Sequence, residues 1–246
     1  MGDFGEVWLL VGFLLVAVCY ASVGFGGGSS YTAILAWRGE SAEVIRWTSL
    51  SCNLVVAAVG GWASLRWGRV RLAMLGPLLV ASVPTVWWAA GWELPREDFL
   101  AVLGWALVAA GGLLVFGGKR KPGGILADRR RRWLWLLGLG AVLGILAGVT
   151  GIGGGIYLVP TLLLLRVGEE REVAAVGTWF ILVNSAVGLV RVPRPGELGD
   201  WGWLPLVVFV GGVVGAVLLQ GVLKAEWVKR WTGVLVLGVG MRVLWV

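Results

Sequence analysis

The fold class predicted by the sequence is an all-α, polytopic transmembrane protein of two inverted repeats. Each repeat is a glycine-broken helical hairpin plus three spanning helices. Three observations lead there. Hydrophobic residues make up 58% of the 246 positions and charged ones only 14%, against about a quarter charged in a soluble domain. Apolar runs of about 18 residues or more, long enough to cross a bilayer, recur along the chain. And the pattern Gly-x-Gly-Gly-Gly occurs twice inside such runs, as Gly24-Phe25-Gly26-Gly27-Gly28 and Gly151-Ile152-Gly153-Gly154-Gly155.

Residues 7–23 are apolar and lead into the first glycine run; residues 29–37 resume as a short apolar piece. Residues 38–43 read as a polar turn, and 44–65 as a span carrying Thr48, Ser49, Ser51 and Asn53. A basic loop with Arg66, Arg69 and Arg71 precedes the span 72–90, which contains Pro77 and Pro84. Membrane helices tolerate prolines where neighbours satisfy the freed carbonyls. The acidic stretch 91–98 reads as a loop, and 99–117 closes the first half. The expected organisation is a repeat over 1–118, a basic cytoplasmic linker over 119–132 and a second repeat over 133–246. In the second half, 133–149 lead into the second run, 156–165 follow it, and 166–172 form a charged turn. A span over 173–190 carries Thr178, Asn184 and Ser185; a Pro/Gly loop, a span over 201–219, a loop over 221–230 and a last apolar segment over 231–246 complete the chain. Tryptophans such as Trp67, Trp92, Trp133, Trp201, Trp227 and Trp245 fall near the ends of these segments, the expected aromatic belt.

The halves match in order: a glycine-broken segment, then Glu43-Val44 or Glu172-Val173 opening a span, then a loop, a span, a loop with Glu97 or Glu226, and a final span. Thr48 and Asn53 in one half recur as Thr178 and Asn184 in the other, one residue out of step. Repeats with discontinuous helices in matching places are typical of secondary transporters and point to the binding site. A straight helix over 7–37 or 133–165 would run about 46–50 Å against a hydrocarbon core of about 30 Å. Each stretch is therefore one long tilted helix with a break, or a hairpin. With hairpins the acidic N-terminus lies outside and the loop with Lys224, Lys229 and Arg230 inside, as the positive-inside rule favours. Hairpins also invert the halves. Eight simple spans with parallel halves are the alternative.

A hairpin tip leaves free N–H groups where the next helix begins, and these attract anions. The candidate binding residues are Gly26, Gly27, Gly28, Ser29 and Ser30 at the first tip, and Gly153, Gly154, Gly155 and Tyr157 at the second. Thr48, Asn53, Thr178 and Asn184 on the following spans complete the set. No strongly apolar segment carries a charge near its centre, so the polarity is amide, hydroxyl and backbone N–H. That suits a small multi-oxygen anion that must also leave. Glycine packing points and ordinary interhelical hydrogen bonds are the plainer readings of the same residues.

The chain has no histidine, which removes His-based metal sites and Ser-His catalysis. No convergent acid, base or nucleophile group suggests an enzyme, and no cofactor or metal is expected. Cys19 and Cys52 read as small apolar core residues. The net charge of +7 sits in short loops, a pattern of contact with the lipid bilayer and not with nucleic acid. The N-terminus is acidic and unlike a typical signal peptide. The expected location is the cytoplasmic (inner) membrane, multi-pass; a homo-oligomer is compatible with the sequence, which does not set the oligomeric state.

The doubled motif, with Pro160 after its second copy and the stretch Ala175-Val176-Gly177-Thr178 running on to Asn184 and Ser185, resembles the sulfite exporter TauE/SafE family of permeases. The resemblance covers essentially the whole chain. It departs at Ala33, where the family's first repeat often has a proline, and at Trp47, where a glycine often precedes the threonine. It implies transport of sulfur-containing anions such as sulfite, thiosulfate or organosulfonates, with an anion channel or a non-transporting membrane scaffold as alternatives.

Overall fold

The computed structural model describes residues 2–22, 26–66, 70–116, 129–165, 167–196, 202–218 and 225–245. Among them are ten α-helices and no strand. They are α1 (Gly2–Ser22), α2 (Gly28–Arg38), α3 (Ala42–Arg66), α4 (Leu72–Ala90), α5 (Arg96–Phe116), α6 (Arg129–Thr150), α7 (Gly155–Leu164), α8 (Glu170–Arg191), α9 (Leu204–Val213, continued by a π-helical turn Val214–Leu218) and α10 (Ala225–Leu244). Each half has a long helix, a short one of 10 or 11 residues and then three more, of which α9, 10 residues before its π-helical turn, is shorter than the rest. By length and composition α3, α4, α5, α6 and α8 can cross a membrane.

The expected bounds of α4 coincide with those observed. Two loops were drawn too long. Glu97 and Asp98 sit in the first turn of α5 and Glu226 in the first turn of α10, where carboxylates favour the helix N-terminus. The loop expected over 221–230 thus ends at Ala225, because charged residues exclude a chain from lipid but not from a helix. Likewise the last four linker residues, 129–132, open α6. Gly24 and Phe25, Trp67 and Trp201, and linker residues 119–128 lie outside the described residues.

The broken segments fold back on themselves. Phe13 of α1 stacks on Tyr31 of α2 with ring centroids 4.7 Å apart, and the Tyr20 hydroxyl lies 2.8 Å from that of Ser30. In a straight helix Phe13 and Tyr31 would be about 27 Å apart. In the second half, a Cβ built on Gly154 would stand 3.4 Å from Ala147 Cβ and from Leu143 O on α6. The return arms are short, 11 residues in α2 and 10 in α7, or about 15–16 Å, half a hydrocarbon core. A Schellman stop ends α2: Gly39, at φ 83°, donates to Ala36 O, and Glu40 N donates to Leu35 O. A capping box of Glu169 and Glu172 starts α8.

Glycine sets the long-helix packing, since apolar helices in lipid associate mainly through close backbone approach. Gly140, Gly144 and Gly148 of α6 lie against the backbone at Leu78, Ser82 and Val86 of α4, so the two helices run parallel. Gly211 and Gly215 of α9 lie in the same way against Leu14 and Val18 of α1. Gly104 of α5 faces Gly240 of α10 while Gly111 faces Gly233, an antiparallel register. α3 and α8 are antiparallel too: Leu50 meets Gly188, Gly60 meets Thr178, and Trp179 Nε1 donates to Ser64 Oγ at 3.1 Å. Exchanging the halves maps α4–α6 onto α9–α1 and leaves the α3–α8 and α5–α10 pairs in place. Cys52 is buried, Cys19 is half-buried, and both are free thiols.

Candidate functional site

Both breaks are left-handed turns into a short helix. Gly27, with φ 86°, precedes α2; Gly154, with φ 79°, precedes α7. That conformation costs an L-residue with a Cβ about 1–2 kcal/mol, which is why glycine stands at both positions.

The two breaks meet at Asn53, the twelfth of the 25 residues of α3. Its Nδ2 donates to Ile152 O of the second break at 2.9 Å. A Cβ on Gly26 of the first break would stand 2.9 Å from Asn53 Oδ1, and one on Gly28 would overlap the Asn53 amide. A Cβ on Gly153 would stand 2.8 Å from Ser185 Oγ and 3.1 Å from Asn53 Nδ2. Ile181 of α8 fills the other side, touching Gly26, Gly153 and Gly155. The junction therefore consists of Gly26, Gly28, Asn53, Gly153, Ser185 and Ile181, brought together from both halves.

Its polar groups are not all spent. Among the described residues, Asn53 Oδ1, Thr48 Oγ1, Asn184 Nδ2, Ser185 Oγ and the hydroxyls of Tyr31 and Tyr157 are buried without a hydrogen-bond partner. Each such group costs about 1–3 kcal/mol, and two of them, Asn53 Oδ1 and Ser185 Oγ, belong to the junction. No group of three or more Cys, Asp or Glu residues among the described residues is placed to hold a metal ion.

Other residues expected at the site lie around this junction or turn away from it. Gly27 packs on the Tyr31 ring, and Gly154 on Phe180. Ser29 and Ser30 share the Tyr20 hydroxyl of α1, at 3.4 and 2.8 Å. Thr178 Oγ1 donates to Ala174 O in its own helix at 3.0 Å. Asn184 Oδ1 accepts from Ser82 Oγ of α4 at 2.9 Å.

The expected pairing of Thr48 and Asn53 with Thr178 and Asn184 is corrected by the packing. Gly28 meets Asn53 as Gly155 meets Ile181; Gly60 meets Thr178 as Gly188 meets Leu50; Gly212 meets Val56 much as Ser82 meets Asn184. The counterpart of Asn53 is thus Ile181, that of Thr178 is Leu50, and that of Asn184 is Val56. Shared spacing of like residues misled because the halves diverged in which positions are polar.

Two residues outside the expected binding set stand at or beside the junction. Ser185 follows Asn184 in the span over 173–190 and lies at the junction in its place. Arg46 is a charge inside the span α3, and only 7% of it is exposed. Its Nη2 donates to Ala90 O at 2.6 Å and Gly148 O at 2.9 Å, and its Nη1 to Trp92 O at 3.2 Å. Its presence in an apolar run is the signal that marks it, since a charge in a membrane helix is expensive and generally functional.

The comparisons with known proteins agree with this architecture. The profile of the family described as sulfite exporter TauE/SafE matches residues 8–243. A Sinorhizobium fredii protein named "Probable membrane transporter protein y4hK" is 30% identical over 251 residues, covering 99% of this chain and 100% of that protein. No solved structure matches the chain. An all-α membrane protein with two glycine-broken segments, matched over nearly its whole length, this chain belongs to the sulfite exporter TauE/SafE family of membrane transport proteins.

Proposed function

We propose that this protein is a secondary transporter that moves small sulfur-containing oxyanions, such as sulfite, thiosulfate or organosulfonates, across the cytoplasmic membrane by alternating exposure of the Asn53 junction. The observation that carries the reading is the meeting of both glycine breaks at one buried amide in the middle of α3. The family match supports the transport class, and the chemistry of the junction supports a small anion. The Ser185 hydroxyl is an unpartnered donor there and Asn53 Nδ2 keeps one hydrogen beyond its bond to Ile152 O, and both face the starts of two short helices, whose dipoles favour negative charge. Among the described residues the junction holds no carboxylate that would repel the anion and no cation that would hold it too tightly to leave.

We infer further that the halves are inverted repeats. In support, the equivalent helices α3 and α8, and α5 and α10, run antiparallel. Helices related by an axis along the membrane normal would run parallel. Charge agrees with this orientation when the Arg71 end of α4 faces the cytoplasm. Rocking of one half against the other would then expose the junction to each side in turn.

The test is flux of radiolabelled sulfite into proteoliposomes of purified protein, with thiosulfate, sulfate, sulfoacetate and chloride as competitors. Saturable flux, accelerated by sulfite on the far side and lost in Gly154→Ala protein that still folds, is the expected result. Flux without saturation or trans-acceleration would make the protein a channel. Absence of flux and of competition, in protein shown to be inserted and folded, would overturn the sulfur-anion reading.

A further inference from the structure

We propose that Arg46 is a second anion contact, a charged way-station between one mouth of the protein and the Asn53 junction; the proposal rests on the anion-transport reading above.

Arg46 stands seven residues before Asn53 on α3, two helical turns, so the two side chains share a helix face about 10 Å apart. The second glycine break runs between them. At its near end, a Cβ on Gly151 would stand 2.8 Å from Arg46 Cα; at its far end, Ile152 O accepts from Asn53. Gly151 therefore packs directly on Arg46, and a side chain there would press on the arginine.

The guanidinium is short of negative charge. Three of its N–H groups go to carbonyls at the C-terminal ends of α4 and α6, but among the described residues no carboxylate lies within ion-pair distance of it. Glu43, one turn earlier on α3, is the nearest acidic group on its own helix. Its Nε is buried with no acceptor. Burying a cation without a carboxylate partner is expensive; the two helix C-termini offset part of the charge and leave one buried donor without an acceptor. A small oxyanion supplies that acceptor.

The surface beside it carries exposed charges of both signs, Arg191 and Arg194 together with Glu43 and Glu93. Gly91 lies between the Ala90 and Trp92 carbonyls that Arg46 holds, and the exposed Arg191 guanidinium packs against Gly91 and over the Trp87 ring at 5.9 Å. Arg194 lies over Trp47, the residue after Arg46, at 5.8 Å. The other half has no equivalent, because the register that pairs Asn53 with Ile181 pairs Arg46 with Ala174. The charged contact serves one mouth only.

The experiment measures thermal stabilisation of purified wild-type, Arg46→Gln and Arg46→Lys protein in micelles as sulfite or thiosulfate is titrated. A contact through charge predicts that R46Q weakens the apparent affinity at least tenfold and that R46K keeps it within about threefold. Equal affinity in wild type and R46Q overturns the Arg46 assignment and leaves the junction intact. A wild-type protein that neither anion stabilises overturns the anion reading and this proposal with it. If the variants do not fold, phenylglyoxal modification of Arg46 in wild-type protein, followed by peptide mass mapping, decides. Slowing by thiosulfate supports the contact; a rate indifferent to thiosulfate, or no modification, overturns it.

Discussion

The two glycine breaks share a backbone and differ in what faces it. In both, a left-handed glycine turns the chain into a short helix, and the residue after it is a glycine pressed against the middle of the next long helix. Opposite the first break stands an amide, Asn53; opposite the second stands Ile181. Ala57 and Val56 of α3 occupy the places where α8 carries Ser185 and Asn184. Each half thus contributes polar groups at positions the other leaves apolar, and one composite site forms where two equal ones would have repeated.

The largest effect is expected from Gly28→Ala. Its Cβ would occupy the Asn53 amide, so sulfite flux should fall at least a hundredfold, with a stability loss of about 1–3 kcal/mol from overpacking. Gly155→Ala presses instead on the Ile181 side chain. It should cost similar stability by thermal unfolding and much less flux. Equal loss of flux in the two variants would remove the distinction between the breaks.

A smaller effect separates two serines. Ser185→Ala removes an unpartnered hydroxyl beside Gly153. It should raise the half-saturating sulfite concentration several-fold while leaving the melting temperature nearly unchanged. Ser82→Ala leaves Asn184 Oδ1 without its donor, so it should cost about 1–3 kcal/mol of stability with flux nearly normal. Reversal of these two patterns would move the site from Asn53 toward Asn184. Smallest of all is Arg71→Gln, which breaks the half-exposed 3.1 Å pair with Glu172. Surface pairs of that kind contribute about 0–1 kcal/mol, and denaturation of the variant should differ from wild type by no more.

Much of the fold was legible because it depends on local pattern. The bounds of α4 follow from an apolar run between charged ends, and the hairpin tips from glycines that no membrane helix carries three in a row without reason. The start of α10 was missed because Lys229 and Arg230 argue against lipid, not against helix. At the site, the convergence of Gly26, Gly28, Gly153 and Asn53 was legible from the doubled motif and the polar residue downstream. The roles of Ser185 and Ile181 were not, since they depend on the register of α3 against α8, a contact between residues more than a hundred positions apart. Ser29 and Ser30, expected ligands at a helix start, stand within reach of the Tyr20 hydroxyl of α1, a contact between two arms of the hairpin that no local pattern reveals.

The central claim is that the Asn53 amide is where the anion sits. The most direct measurement is sulfite flux in Asn53→Asp protein, a change that keeps the side-chain shape and places negative charge at the junction. Correctly folded Asn53→Asp protein should transport sulfite at less than about a hundredth of the wild-type rate, a barrier increase of about 2.7 kcal/mol. Flux at the wild-type rate and half-saturation would contradict the account and move the anion away from the meeting of the two breaks.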